Sequence, residues 1–126
     1  MAKTESELTR ELLTGCMVFS CVASRMQTSG WPDRYVSHPL WSGWLEFKAE
    51  NGRLSALQRE VLRRLRSHDA GQAFVARHET RTIEDEAGAT LGRWDGTLLG
   101  PAGLLRELAR LAFEARRHKT KAELTG

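Results

Sequence analysis

The stretch from residue 43 to residue 77 constrains the fold most, because its hydrophobic period changes twice. "GWLEFKA" alternates, so Trp44, Glu46 and Lys48 share one face of a predicted strand. "SALQREVLRRL" then shows helical spacing after a serine N-cap, and "QAFVAR" is typical of a buried strand. Strand, helix and strand in this order predict one right-handed parallel crossover and hence an α/β protein. The predicted inner stripe of the helix comprises Leu57, Val61, Leu62 and Leu65.

The segment before this unit predicts one helix and two strands. Leucines at helical spacing follow a candidate N-cap at Thr4 or Ser6. "CMVFSCVAS" is short, apolar and rich in valine and phenylalanine, which favours a mostly buried strand. Pro32 cannot donate to a ladder, so we expect a turn there and a second strand beginning with "DRYV".

The segment after the unit predicts a hairpin and a final helix. "RTIEDEAGATLGRW" is polar and turns around Ala87 and Gly88, which favours an edge hairpin. Gly100 and Pro101 precede a helix with a regular apolar face. We expect a single domain with a core of about residues 4–78, an appended hairpin and helix at 80–117, and a frayed tail at 118–126. The predicted buried face of the last helix comprises Leu104, Leu105, Leu108, Leu111 and Ala112.

Composition excludes several classes of protein. The chain has 126 residues, 40% of them hydrophobic and 28% charged, which indicates one soluble globular domain. It contains neither the roughly 20 apolar residues of a membrane span nor a signal peptide, so we expect a cytoplasmic protein with no membrane partner. Cys16 and Cys21 are expected to be reduced, buried thiols. The four histidines lack zinc-ligand spacing, so we expect no zinc site. The sequence contains no Gly-rich phosphate loop, so we expect no nucleotide cofactor.

Three charged residues carry the main chemical signal. Asp33 begins the second predicted strand, while Glu46 and Lys48 lie on the third, so the three converge if these strands are antiparallel neighbours. Carboxylates suit Mg²⁺ or Mn²⁺, and a nearby lysine can orient a water molecule for phosphodiester hydrolysis. Each residue also has a simpler interpretation. Asp33 could bond its own backbone in a turn, and Glu46 with Lys48 could be a solvated ion pair.

A wider set of motifs resembles a known family. The chain contains "GWPDR", a spacing of thirteen positions from Asp33 to Glu46, "LEFK", "GRLSALQREVLRRL" and "AFVAR". Together they resemble the PD-(D/E)XK nuclease superfamily, and within it the stand-alone VRR-NUC domains that are similar to Holliday-junction resolvases. The resemblance extends from the first helix to about Arg77. It implies a restriction-endonuclease-like α/β core of helix, three strands, helix and strand, with a mixed sheet flanked by helices, to which the hairpin and last helix are appended.

The resemblance also implies a role for individual residues. Asp33 and Glu46 match the metal-binding carboxylates, with the backbone carbonyl of Phe47 as a further ligand. Lys48 matches the lysine that positions the attacking water, and Gln58 matches a helical glutamine that points back to the site.

Further residues follow from the same resemblance. A glutamate is expected on the first helix, where Glu5 fits the family spacing and Glu7 is a competitor. Arg77 matches an arginine that ends a strand, and it joins Arg34 and Arg53 as a candidate DNA contact. Trp41 and Trp44 could stack on bases, although tryptophans beside a strand are more often core residues.

The function implied is that of a divalent-metal-dependent DNA endonuclease. Branched, flap or junction DNA is the implied substrate class. One site per small chain and two strands per duplex favour a twofold homodimer. Two alternatives stay open: a non-catalytic nucleic-acid-binding module of the same fold, and a restriction-type endonuclease that reads a short sequence.

Overall fold

The computed structural model describes residues 4–20, 30–49, 52–68, 73–96 and 100–125. Its elements follow the predicted order of helix, three strands, helix, strand, hairpin and helix, so the α/β prediction is confirmed. The helices are α1 (Glu5–Leu12), α2 (Ala56–His68) and α3 (Ala102–Thr125). The strands are β1 (Met17–Ser20), β2 (Arg34–Ser37), β3 (Gly43–Phe47), β4 (Ala73–Arg77), β5 (Thr82–Glu84) and β6 (Thr90–Arg93).

The described strands form one mixed sheet in the order β1-β2-β3-β4-β5-β6. Strands β1, β2 and β3 pair antiparallel, β3 pairs with β4 in parallel, and β4, β5 and β6 are again antiparallel. Parallel neighbours need a long connection, and α2 lies within the connection between β3 and β4. The predicted parallel crossover is therefore confirmed.

The two faces of the sheet bury different clusters. Leu45 and Phe47 of β3 belong to the larger cluster, which also contains Leu13, beside α1, and the apolar face of α3. Trp44 belongs to a smaller cluster with Leu62 of α2. Because side chains alternate along a strand, Glu46 and Lys48 lie on the same face as Trp44. The predicted charged face of β3 is thus the face that α2 covers.

Helix α3 closes the larger cluster. All five residues predicted for its buried face are buried. The tail differs from the prediction, because α3 continues to Thr125 rather than fraying after residue 117. Its last turns contain lysine, alanine and glutamate, which favour helix, and residues 118–125 include no proline or glycine. None of the described helices is long and apolar enough to cross a membrane.

The prediction of a mostly buried first strand is wrong. Met17, Val18 and Phe19 of β1 are 78%, 42% and 62% exposed. Among the described strands, β1 is at the edge of the sheet and pairs only with β2, so an apolar sequence does not ensure cover on both faces. Cys16 is partly buried, and burial raises the pKa of its thiol. Cys21 and the rest of the predicted strand lie outside the described residues.

The inner stripe of α2 is also corrected at one position. Leu62 is buried, and Val61 and Leu65 are half-buried, but Leu57 is 50% exposed. Leu57 lies in the first turn of α2, where it approaches the turn before β2. A Cβ atom on Gly30 would come within 2.6 Å of the Leu57 Cγ atom, and Gly30 has a φ of +84°. Glycine is therefore required at residue 30 for both space and backbone conformation.

The buried face of α3 yields a stability prediction. Leu108 is fully buried, so Leu108→Ala should lower the free energy of unfolding by about 2–5 kcal/mol through lost contacts and a cavity. Phe113→Ala, on the same helix at 67% exposure, should change it by less than about 0.5 kcal/mol. Urea denaturation of both variants measures the difference. Equal losses would contradict the assignment of the buried face.

Candidate functional site

The site begins with the pairing of β2 and β3. Arg34 lies opposite Leu45, so the next position along the antiparallel ladder places Asp33 opposite Glu46. The backbone N–H of Asp33 donates to Glu46 Oε2 at 2.8 Å. The predicted convergence of these two residues is therefore observed, and the thirteen positions between them span β2, the following loop and most of β3.

Asp33 is a carboxylate in an unfavourable environment. One oxygen, Oδ2, pairs with Arg34 at 2.6 Å, but Oδ1 is buried and has no hydrogen-bond partner in the described part of the chain. Burial, followed by the nearby charge of Glu46, raises the pKa of Asp33 to about 7, although Arg34 opposes the change. A positive charge near Oδ1 would relieve both destabilising effects.

Glu46 is the most enclosed residue of the site and the centre of its contacts. Its side chain is 8% exposed. Oε2 accepts the Asp33 N–H bond, whereas Oε1 accepts a bond from Gln58 Nε2 at 3.2 Å and lies 3.5 Å from Lys48 Nζ. A buried carboxylate needs such partners to remain favourable. The simpler interpretation of Glu46 and Lys48 as a solvated surface pair does not fit this burial.

Gln58 is held by the N-terminal cap of α2. The Ser55 N–H donates to Gln58 Oε1 at 2.9 Å, and the Gln58 N–H donates to Ser55 Oγ at 3.1 Å, which together form a capping box. The predicted serine cap is confirmed. Because the amide oxygen is occupied by the cap, the amide nitrogen is directed to Glu46. A glutamate here could form the same cap but would place a second negative charge beside Glu46.

Lys48 lies just beyond the end of β3. Its backbone N–H donates to the Ala76 carbonyl at 3.1 Å, which fixes this position against the parallel neighbour β4. Its side chain is 22% exposed, so the ammonium group lies between the buried carboxylate and solvent. The Lys48 ammonium group can therefore contact both Glu46 and a ligand that approaches from solvent.

Phe47 lies between the two charged residues in sequence, but its ring is on the opposite face. The ring stacks on His78 with centroids 4.8 Å apart, and the Arg34 guanidinium carbon lies 5.5 Å from its centre. His78 Nε2 in turn contacts the buried Thr9 hydroxyl at 2.8 Å. These contacts fix the end of β3. The role of the Phe47 carbonyl as a metal ligand stays a prediction.

Arg77, at the end of β4, contacts both the neighbouring strand β5 and the chain that follows β3. It forms an ion pair with Glu84 at 2.9 Å and donates to the carbonyls of Ala49 and Gly52 at 2.5 and 2.9 Å. These bonds hold the chain that follows Lys48. Arg34 pairs with Asp33, and Arg53 is exposed. DNA contact by Arg34, Arg53 or Arg77 stays a prediction.

The two candidate glutamates of α1 are not joined to this site by any described contact. Glu7 forms a capping box with Thr4: the Thr4 N–H donates to Glu7 Oε2, and the Glu7 N–H donates to Thr4 Oγ1, each at 3.1 Å. This settles Thr4, rather than Ser6, as the N-cap. Glu5 lies on α1, but its side chain is outside the described part of the structure.

An aromatic cluster adjoins the carboxylates and was not predicted as a unit. The Trp44 ring packs edge-to-face against Trp31 and Tyr35, with centroids 5.2 and 5.1 Å apart. Trp44 is half-buried, whereas Trp41 is buried against Phe74, as a core residue is expected to be. The two-residue spacing of Asp33 and Tyr35 along β2 is the sequence signal that could have placed this ring on the face of the site.

Similarity to known proteins gives no independent assignment. The chain matches no family model, no curated protein and no solved structure. Within the described ranges, no group of three or more histidine, cysteine, aspartate or glutamate side chains could hold a metal ion. Any cation at this site would therefore bind to two carboxylates, with its other ligands coming from water, backbone or substrate, an arrangement common for Mg²⁺.

The raised pKa of Asp33 predicts a pH-dependent stability. The folded protein keeps a proton on Asp33 up to about pH 7, whereas the unfolded chain releases it near 3.8. The contribution of Asp33 to the free energy of unfolding therefore falls as pH rises through this window. Asp33→Asn should gain stability relative to the parent across the same window, measured by urea denaturation in EDTA. Exposed Glu114→Gln is the control, and parallel profiles of Asp33→Asn and parent would contradict the assignment.

Proposed function

We propose that this protein is a divalent-metal-dependent DNA endonuclease of the PD-(D/E)XK type with a restriction-endonuclease-like fold. The observation that carries the proposal is the meeting of Asp33 and Glu46 across two antiparallel strands, with Lys48 next to the second carboxylate. Gln58 reaches the same carboxylate from α2. This combination of an acidic pair, a lysine and a helical amide is the equipment expected for metal-assisted hydrolysis of a phosphodiester.

The residues present fit Mg²⁺ or Mn²⁺. Asp33 Oδ1 is a buried oxygen without a partner among the described residues, and the pKa of its carboxyl is raised by burial and by Glu46. A hard divalent cation between Asp33 and Glu46 would satisfy that oxygen and neutralise the repulsion between the carboxylates. When bound, such a cation supplies positive charge that stabilises the charge developing on the phosphate in the transition state.

The other residues support the reaction in distinct ways. The Lys48 ammonium can hold a water molecule beside the phosphate, so that its oxygen attacks phosphorus as a P–O ester bond breaks. The water gives up its proton to solvent, and the leaving alkoxide takes up a proton from solvent to become an alcohol. Gln58 keeps Glu46 in one orientation, because its amide is itself fixed by Ser55. Arg34 offsets part of the negative charge of Asp33. The net charge of +3 is compatible with a polyanionic substrate.

Branched DNA and a homodimer form part of the same proposal. Cutting both strands of a junction requires two sites, which a twofold pair of these chains would provide. The rival function is a non-catalytic DNA-binding module, and a restriction-type enzyme would differ by preferring one sequence in plain duplex. The acidic pair and Lys48 favour catalysis, because binding to phosphates alone does not call for two converging carboxylates.

Metal binding provides the first test. Titration of Mn²⁺ into the parent protein should release measurable heat, and Asp33→Asn or Glu46→Gln should abolish it because each removes one charged ligand. Glu114→Gln, an exposed change on α3, is the charge-matched control and should bind like the parent. Absence of heat in the parent, with and without DNA, would favour the non-catalytic alternative.

Cleavage provides the second test. The protein is incubated with labelled single-stranded, duplex, flap and four-way DNA in Mg²⁺ or Mn²⁺. Lys48→Ala should slow cutting by about 100-fold or more, the scale of a positioned proton-transfer or water-orienting group. Arg106→Ala removes the same charge from an exposed position on α3 and should cut at the parental rate. Equal rates for Lys48→Ala and the parent would assign the activity to a contaminant or another site.

A further inference from the structure

The face of the sheet that carries Glu46 continues towards β1 as a series of aromatic side chains. Phe19 lies opposite Tyr35 in the β1–β2 ladder, and Tyr35 lies opposite Trp44 in the β2–β3 ladder. Directly opposite residues share a face of a sheet, so these three side chains are neighbours in a row. Trp31 packs on the Trp44 ring from the preceding turn. We call Phe19, Trp31, Tyr35 and Trp44 the aromatic surface.

The aromatic surface has a fixed base and an open end. Trp44 packs against the cluster of Leu62 on α2, and its edge contacts hold the rings of Trp31 and Tyr35. Phe19, at the outer end, is 62% exposed. A single exposed apolar residue is ordinary in a soluble protein. Here the exposed ring extends a row of half-buried aromatic side chains, which is the arrangement that base stacking uses.

The position of the surface relates it to the carboxylates. Tyr35 follows Asp33 by two residues on the same face of β2, a separation of about 7 Å, and Phe19 lies one strand further, about 5 Å to the side. The resulting span of roughly 9 Å from Asp33 to Phe19 corresponds to two or three stacked nucleotides at about 3.4 Å each. Bases next to a phosphate that a cation at Asp33 and Glu46 would bind would therefore lie over these rings.

We propose that the aromatic surface binds unpaired bases of DNA beside the phosphate that is cut, and that it selects single-stranded or branched substrates. The identity of the ligand as DNA rests on the proposed nuclease function. Base faces are available for stacking on a protein only where the strand is unpaired or splayed, so this contact discriminates against plain duplex. Lys48 lies on the same face of the sheet as Trp44 and is 22% exposed. Its ammonium group favours a polyanion over a second positively charged copy of the chain.

The test measures binding without catalysis. A labelled oligothymidine and a labelled duplex are titrated in EDTA with parent, Phe19→Ala, Phe19→Leu and Phe19→Tyr, and binding is followed by fluorescence anisotropy. Phe19→Ala should weaken single-strand binding by about 5- to 150-fold and duplex binding by less than about twofold. Phe19→Leu should lose nearly as much because it has no aromatic face, whereas Phe19→Tyr should bind like the parent. Phe113→Ala, a change at a similarly exposed phenylalanine on α3, is the matched control.

The outcomes separate this inference from the nuclease proposal. Loss of single-strand binding in Phe19→Ala supports the aromatic surface even if no substrate is cut, in which case the nuclease proposal alone fails. Cleavage that depends on Lys48, together with equal single-strand affinity of parent and Phe19→Ala, overturns the aromatic surface alone. An equal loss for duplex and single strand also overturns it. A parental dimer that Phe19→Ala converts to monomer, seen by light scattering, would instead make this surface an interface between copies.

Discussion

The pairing register of β2 and β3 is the constraint on which the site depends. Because Arg34 lies opposite Leu45, the carboxylates of Asp33 and Glu46 meet at the end of the ladder, where one accepts the backbone N–H of the other. A shift of one residue in this register would send one of them to the opposite face of the sheet. The buried clusters on both faces oppose such a shift, since it would also exchange buried and exposed side chains. Packing of the core therefore fixes the acidic pair.

The polar contacts around Glu46 show how the fold tolerates a buried charge. Its two oxygens receive a backbone N–H, a side-chain amide and a lysine ammonium, each from a different part of the chain. The Asp33 carboxyl is less stabilised: one of its oxygens lacks a hydrogen-bond partner within the described ranges, and its pKa is raised. The imbalance lies on the side of the pair where a cation would be most stabilising. This imbalance is the physical basis of the proposal that the pair binds a divalent cation.

Sequence periodicity predicted the type and order of the helices and strands better than it predicted how deeply each one is buried. It predicted the element order, the parallel strands around α2, the serine cap and the buried face of α3, all of which are observed. It overestimated the burial of β1, because an apolar run does not reveal how many neighbours a strand has. Leu57 fits the helical stripe, but its side chain lies near Gly30 and is half exposed. The aromatic surface depends on the register of three strands, which no single segment of sequence contains.

The double use of the Gln58 amide links the folding of a helix to the geometry of the acidic pair. The same side chain closes the first turn of α2 and contacts Glu46, which lies twelve positions earlier. Fraying of that turn would release the amide and leave Glu46 without one of its donors. The contact with Glu46 in turn stabilises the first turn of α2, in which Gln58 lies. Local opening of the first turn of α2 would therefore remove one contact of the carboxylate pair, so the order of the site depends on a helix end as well as on the sheet.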